Sequence, residues 1–169
     1  IMQPHHQHDD EMNRRFSLEA RSISSIEHPN VVTVHDFGIT DEGIMYLVMD
    51  YIRGKSLGEV IRSTGRLSVE DGLPLFIQAC NALQLTHSKG IIHRDLKPSN
   101  IMLIDQPNAP SLVKIVDFGI AKLLVPEDME HQRITKSGEL LGSPMYMSPE
   151  HCLGKSLDAR SDIYSLACV

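Results

Sequence analysis

Apolar residues along the chain alternate between helical and strand-like spacing. From residue 11 to 26 they fall at helical spacing, which predicts an amphipathic helix. Two β-rich segments follow at 31–37 and 44–49, and the turn-rich stretch 38–43 between them indicates a hairpin. A longer helix is predicted from Ser68, with Gly90 as its stop. Its apolar residues are all expected to lie in the core: Val69, Leu73, Phe76, Ile77, Cys80 and Leu83.

The second half of the chain is predicted to contain less regular structure. Short strands are expected at 101–104 and 112–116, around a turn rich in Pro and Asn. Residues 119–150 form a long, mostly irregular stretch, and loops of this length are usually functional or disordered. A helix that contains Asp162 is expected near the end.

Polar residues with complementary chemistry are concentrated just before and after those two strands. Asp95, Lys97 and Asn100 lie in one short loop, and Asp117 follows the second strand. Asp95 can orient a substrate hydroxyl, and Lys97 can reach a phosphate in transfer. Asn100 and Asp117 supply the amide and carboxylate oxygens that Mg²⁺ prefers. The order of these residues predicts phosphoryl transfer from ATP.

The chain resembles the eukaryotic-type protein kinases, and it is most similar to the serine/threonine kinases of bacteria. Besides the loop 92–100 and the turn 116–119, four stretches carry the resemblance: 16–20, 27–32, 142–150 and 161–165. The resemblance implies an α+β, two-lobed protein-kinase-like fold, truncated at both ends. Residues 1–52 would form a partial N-lobe, with helix αC, strands 4 and 5 and the hinge. Residues 53–169 would form a partial C-lobe, with the catalytic loop, the activation segment and the start of helix αF.

The resemblance also implies an ATP site. Glu19 would be the helix αC glutamate that pairs with the ATP-binding lysine, although an exposed helical charge is the plain alternative. Met49 would be the gatekeeper, and the backbone of Asp50 and Ile52 in the hinge would meet adenine. Met102 would lie beneath the adenine ring, although a simple core role stays open. The implied cofactors are ATP and Mg²⁺.

Regulation and substrate binding are implied for the segment 119–150. Thr135 and Ser137 would be phosphorylated, in trans by a second kinase molecule, and Arg94 would bind the phosphate. Two ordinary loop hydroxyls remain the alternative. Ser143 would hydrogen-bond toward the catalytic loop, and together with Lys97 it favours Ser/Thr side chains of proteins as substrates.

Three further features are expected to be structural. Glu150 would pair with an arginine that this sequence does not contain. Asp162 would accept backbone N–H bonds from the catalytic loop near His93. A second Asp-Phe-Gly tripeptide, at 36–38, is interpreted as a strand end, and the histidines at positions 5, 6 and 8 fit a solvated linker better than a metal site.

Composition narrows the setting. A net charge of −6 over 169 residues argues against binding to nucleic acid or to anionic membranes. Three cysteines without paired spacing indicate reduced thiols and a cytoplasmic protein. No apolar window is long enough for a transmembrane helix, and a membrane anchor outside this segment stays open.

The sequence departs from the family at its two ends. It has no Gly-rich phosphate loop and no strand of the Val-Ala-Ile-Lys type, and it stops within the helix of Asp162. We therefore expect an incomplete domain that is inactive alone and leaves Glu19 without a partner. An active kinase is the favoured interpretation of the parent protein. A pseudokinase-type binding or scaffolding module is the alternative, and a short regulatory chain is a third.

Overall fold

The computed structural model describes residues 10–119 and 144–169, and it combines five helices with two small antiparallel sheets. The helices are α1 (Asp10–Ser24), α2 (Leu57–Thr64), α3 (Val69–Ser88), α4 (Pro149–Cys152) and α5 (Ala159–Ala167). The strands are β1 (Val34–Ile39), β2 (Met45–Met49), β3 (Lys55–Ser56), β4 (Ile101–Gln106) and β5 (Ala109–Ile115). Two short 3₁₀ turns lie at Pro98–Asn100 and Pro144–Tyr146. The α+β class predicted from the sequence is confirmed.

The two sheets place different parts of the chain side by side. Strands β1 and β2 form the predicted hairpin, with Val34 opposite Met49 and Ile39 opposite Met45. The other sheet has the order β3-β4-β5, so β5 is its edge strand. The tripeptide 36–38 lies within β1, where the Asp36 carboxylate accepts hydrogen bonds from Phe37 N and from the Tyr46 hydroxyl.

Helix α2 was not anticipated from the sequence, although its start carries a clear signal. Ser56 caps the helix by accepting from Glu59 N, and the Glu59 carboxylate accepts in return from Ser56 N at 2.7 Å. This reciprocal capping box satisfies donors that the first turn would otherwise leave unpaired. The hydrogen bonds from Ser56 lower the pKa of Glu59.

One continuous core joins α1, the second half of α3, and strands β4 and β5. Phe16 and Ala20 of α1 are buried, as are Leu83 of α3 and Ile115 of β5. Leu96 extends this core into the loop 92–100, so the loop that carries the candidate chemistry is itself anchored by apolar packing. No helix among the described residues is long and apolar enough to cross a membrane.

The first half of α3 differs from the prediction. Val69 is 77% exposed, and Leu73, Phe76 and Ile77 are also largely exposed, so the expectation that these residues lie in the core is wrong. The helix buries its second half, at Ala79, Ala82, Leu83 and Thr86, and it packs on β5. Helical periodicity shows that a face is apolar; what covers the face depends on neighbouring elements.

Candidate active site

His93 is the buried centre of the catalytic loop, which we define as residues 92–100. Its side chain is fully inaccessible, and its ring lies 4.7 Å from the Phe118 ring, centroid to centroid. Nδ1 accepts from Asp95 N at 3.3 Å, so Nε2 carries the proton and donates to Val116 O at 3.0 Å. Burial lowers the pKa of His93. The neutral ring thus joins the catalytic loop to the residue that precedes Asp117.

Asp162 anchors the same loop from helix α5. Its carboxylate, 1% exposed, accepts from His93 N at 2.8 Å and from Arg94 N at 2.9 Å. These are the backbone bonds that the resemblance implied. Burial alone would raise the pKa of Asp162, but the hydrogen bonds from His87, His93 and Arg94 outweigh it and lower the pKa.

His87 is a site residue that the sequence analysis missed. Its Nε2 lies 2.8 Å from Asp162 Oδ2, and both side chains are largely buried. His87 occupies the last turn of α3, a helix to which only packing was assigned. The sequence feature that could have indicated this role is a histidine in the last turn of the helix, close to the catalytic loop in sequence. It supplies the third donor that satisfies the buried carboxylate.

Asp95, Lys97 and Asn100 converge as their spacing predicted. Lys97 Nζ donates to Asp95 Oδ2 at 2.8 Å, and Asn100 Nδ2 approaches the same oxygen at 3.3 Å. Asn100 Nδ2 also donates to the Asp95 backbone carbonyl at 2.9 Å, which fixes the orientation of the amide. The Asn100 amide oxygen therefore points away from Asp95, toward the Ser99 hydroxyl.

Two residues of the site hold strained backbone conformations. Arg94 has φ of 65° and Asp117 has φ of 57°, and each such conformation costs about 1–3 kcal/mol in a residue other than Gly. Surrounding bonds maintain both. Asp162 binds Arg94 N, and on either side of Asp117 the Val116 and Gly119 amides donate to Asn100 O and His93 O.

Gly119 is needed because the chain passes close to the catalytic loop. Its amide donates to His93 O at 2.9 Å, and a Cβ at this position would lie 3.0 Å from the same oxygen. The close approach places the exposed carboxylate of Asp117 beside the loop that carries Asp95 and Asn100.

Glu19 has a partner, which corrects the prediction that it would lack one. The Arg94 guanidinium lies 3.6 Å from the Glu19 carboxylate, and both side chains are mostly shielded from solvent. The expectation considered only the ATP-binding lysine as a partner. It also left Arg94 as a free cation for a loop phosphate, whereas α1 packs close enough for the two residues to pair.

The residues predicted to contact adenine lie at the ends of two strands. Met49 ends β2, Ile52 follows in the segment to β3, and Met102 lies in β4 opposite Ser56; all three are partly buried. Asp50 N donates to Thr33 O at 3.0 Å, and the Asp50 carboxylate pairs with His35 Nε2 at 2.7 Å. The hydrogen bond from His35 is the main cause that lowers the pKa of Asp50.

Several predicted residues lie outside the described part of the chain. They are Thr135, Ser137, Ser143 and the histidines at positions 5, 6 and 8. Glu150 is described, and its carboxylate accepts a short hydrogen bond from the Ser161 hydroxyl, which lowers the pKa of Glu150. This bond links α4 to α5, next to Asp162.

Comparisons with known proteins agree with this geometry. The protein kinase domain family model matches residues 2–169. The chain is 39% identical over 169 residues to a probable serine/threonine-protein kinase of Clostridium perfringens, covering 100% of this chain and 23% of the relative. It is 38% identical to the serine/threonine-protein kinase Pkn3 of Myxococcus xanthus, covering 95% of this chain and 29% of the relative. The chain thus spans about a quarter of the length of these curated relatives.

Solved structures give the same result for the fold. The kinase domain of Mycobacterium tuberculosis PknI superposes with a TM-score of 0.72 at 29% identity, covering 99% of this chain and 57% of that one. A structure of Rad53 in complex with AMP-PNP superposes with a TM-score of 0.70 at 28% identity, covering 91% of this chain and 36% of that one. The predicted protein-kinase-like fold is confirmed.

Proposed function

Because the chain belongs to the protein kinase domain family, we propose that it carries the catalytic centre of a serine/threonine protein kinase. The parent protein would transfer the γ-phosphate of ATP to Ser or Thr hydroxyls of other proteins. Residues 1–52 contribute to the N-lobe and residues 53–169 to the C-lobe in this proposal.

One observation carries the proposal: Lys97 and Asn100 both donate to the Asp95 carboxylate. These donors hold Asp95 in one orientation, with Lys97 beside it for the phosphate in transfer. Phosphoryl transfer depends on positioning and on stabilising charge, so a fixed carboxylate next to a cation matches its demands. Asp95 orients the substrate hydroxyl and accepts its proton.

The donor set fits Mg²⁺. Among the described residues, no group of three or more His, Cys, Asp or Glu side chains could hold a metal ion by itself. Asn100 and Asp117 instead offer one amide and one carboxylate oxygen, and Mg²⁺ usually completes such a partial set with waters and substrate phosphates. When bound, Mg²⁺ neutralises charge on the ATP phosphates. The bond from the Asn100 NH₂ group to the Asp95 carbonyl fixes the orientation of the amide, so that its oxygen would be available to the metal ion.

ATP would bind between the hinge and β4. The hinge backbone at Asp50 and Ile52 meets adenine, with Met49 behind the ring and Met102 beneath it. Support comes from the anchoring of the hinge, whose Asp50 is bonded through its amide to Thr33 and through its carboxylate to His35. The Rad53 fold neighbour was solved with AMP-PNP, an ATP analogue.

Arg94 links this centre to regulation. A phosphate on Thr135 or Ser137, added in trans by a second kinase molecule, would compete with the Glu19 carboxylate for the Arg94 guanidinium. Glu19 would then be released to its nucleotide-side partner, and Ser143 would complete the substrate side. Mass spectrometry of the active full-length gene product checks for the phosphate. Full activity in a Thr135→Ala/Ser137→Ala variant would remove this role.

Phosphotransfer would take place in the cytoplasm, where ATP is available and the three free cysteines stay reduced. Fractionation of cells that produce a tagged full-length protein checks this location. Recovery of the kinase domain on the extracytoplasmic side of the membrane would contradict the cytoplasmic location.

Product analysis tests the function itself. The full-length gene product is incubated with Mg²⁺, radiolabelled ATP and a general protein substrate, and the phosphorylated residues are identified after acid hydrolysis. We expect phosphoserine or phosphothreonine, and none in an Asp95→Asn variant. Binding of Mg·ATP without transfer to any protein would instead support the pseudokinase-type scaffold, and phosphotyrosine alone would refute the Ser/Thr assignment.

A further inference from the structure

The outer edge of β5 has no neighbouring strand among the described residues, apart from an isolated bridge between Ile115 and Val31, yet five of its backbone groups are paired. Ser111 O, Val113 N, Val113 O, Ile115 N and Ile115 O all have hydrogen-bond partners outside the sheet. An unpaired strand edge leaves such groups unsatisfied unless other parts of the protein cover it. Here side chains pair three of the five groups, and the backbone of the loop 28–32 pairs the other two.

Gln78 of α3 satisfies the first part of this edge. Its Nε2 donates to Ser111 O at 3.0 Å, and its Oε1 accepts from Val113 N at 3.0 Å. The same Oε1 accepts from Asn30 Nδ2 at 2.9 Å. Gln78 therefore mimics the alternating donor and acceptor of a paired strand, and it reaches the loop before β1.

Asn30 satisfies the next part of the edge. Its Nδ2 also donates to Val113 O at 2.8 Å, and its backbone carbonyl accepts from Ile115 N at 2.9 Å. Val32 N then donates to Ile115 O at 3.0 Å. Lys114 Nζ of β5 donates to Val31 O at 2.9 Å. The loop 28–32 is thus attached to β5 by two side chains, those of Asn30 and Lys114, and by its own backbone.

Both attached segments lead directly to candidate site residues. Strand β5 ends at Ile115, and the next two residues are Val116, bonded to His93, and Asp117. The loop 28–32 follows α1, which carries Glu19. A shift of β5 against α3 would therefore move Asp117, and a shift of the loop would move α1.

We propose that Gln78 is a positioning residue for the nucleotide side of the active site. Through its three hydrogen bonds to Ser111, Val113 and Asn30, it holds β5 and the loop 28–32 in register on α3. It thereby sets the position of Asp117. Asp95 and Lys97 depend on this contact less directly, because Asp162 of α5 anchors their loop through His93 N and Arg94 N. The inference rests on the proposed function for its kinetic consequences only.

Position 78 requires a side chain that both donates and accepts hydrogen bonds, as the Gln78 amide does. Oε1 meets two N–H donors and Nε2 meets one carbonyl, so a flipped amide would set like groups against each other on both sides. Leucine is of comparable volume, although one atom shorter, and it favours the helix, but it offers neither donor nor acceptor. Gln78→Leu should leave Val113 N and Ser111 O without these partners.

Kinetics of the full-length gene product test the inference. For Gln78→Leu we expect the KM for Mg·ATP to rise at least about fivefold, because metal ligation by Asp117 acts in the ground state as well as in the transition state. The KM for the protein substrate should stay within about twofold. Gln84→Leu makes the same chemical change at an exposed position of α3 and should leave both values unchanged.

Gln84→Gly is the control for a general loss of stability, because it destabilises the same helix and changes no contact with β5. At equal melting temperature, only Gln78→Leu should raise the KM for Mg·ATP. Equal kinetic effects in the two variants would overturn the positioning role.

Hydrogen exchange provides a readout that does not depend on catalysis. In Gln78→Leu the amide protons of Val113 and Ile115 should exchange faster than in Gln84→Gly, whereas the His93 amide should not. Unchanged exchange at Val113 and Ile115 would overturn the inference even if the protein is an active kinase. If the unaltered protein transfers no phosphate, the proposed function fails, and faster exchange would still support the contact.

Discussion

Replacing Asp162 should strongly destabilise the catalytic loop that it anchors. The side chain is 1% exposed and accepts three hydrogen bonds, from His93 N, Arg94 N and His87 Nε2. Asp162→Ala removes all three acceptors at once and leaves the donors buried. The backbone at Arg94, held at φ of 65°, also loses the bond that maintains it.

The size of the effect follows from the number of bonds lost. Each buried donor left without a partner costs at least about 1 kcal/mol, which sets a lower bound of about 3 kcal/mol for three donors. Removing one partner of a buried charged pair costs about 3–5 kcal/mol, so Asp162→Ala should lower the free energy of unfolding by about that amount. Asp162→Asn keeps one acceptor oxygen. Placed at the Oδ2 position, that oxygen still serves His93 and His87, and only the bond to Arg94 is lost. Asn should therefore cost about 1–3 kcal/mol.

Thermal melting of the kinase domain in the full-length gene product measures this difference. For a domain of this size about 1 kcal/mol corresponds to about 2–4 °C, so Ala should lower the melting temperature several times more than Asn does. Asp158→Asn is the matched control, because Asp158 caps the same helix in solvent and Asn caps equally well. Equal melting temperatures for the parent and Asp162→Ala would refute the anchoring role.

The pH dependence gives a second check on Asp162. Its pKa is lowered in the folded protein, so its contribution is fully present above the unfolded pKa of about 3.9. That contribution is lost as the pH falls through the lower, folded value. The parent and Asp162→Asn should therefore converge in stability only below about pH 4. Convergence already near neutral pH would contradict the assigned hydrogen bonds.

Three further predictions concern the neighbouring residues. Burial lowers the pKa of His93, so the domain should lose stability as the pH falls below the unfolded value of about 6.5, and melting curves of His93→Phe should lack this component. Asp117→Asn should weaken Mg²⁺-dependent ATP binding by at least about tenfold in calorimetry, whereas nucleotide binding without Mg²⁺ should change little. Gly119→Ala should cost about 1–3 kcal/mol in unfolding experiments, because its Cβ meets His93 O at 3.0 Å; an unchanged melting temperature would show that the loop yields.

Local spacing was enough to predict the catalytic loop and most of the elements, although helix α2 was missed. Asp95, Lys97 and Asn100 are close in sequence, so a short loop brings them together whatever surrounds it. The hairpin of β1 and β2 likewise follows from strand periodicity and an intervening turn. The periodicity of α1 also predicted its buried face, with Phe16 and Ala20 inside.

Long-range polar pairs could not be predicted in the same way. Gln78 is one of several polar residues in α3, and nothing in the helical pattern indicates that its amide pairs with the edge of β5. The pairing of Arg94 with Glu19 depends on how closely α1 packs on the catalytic loop, which no local pattern specifies. The exposed face of α3 near Phe76 has the same origin, because burial depends on what lies opposite.

Phosphotransfer by Asp95→Asn tests whether Asp95 orients the substrate hydroxyl. The full-length protein, the variant and the control Asp105→Asn, which alters an exposed carboxylate on β4, are compared in a protein-substrate assay and in Mg·ATP calorimetry. We expect Asp95→Asn to lower kcat at least about 10²-fold and to keep the Mg·ATP affinity within about twofold of the parent. Turnover by Asp95→Asn comparable to that of the parent and the control would contradict it.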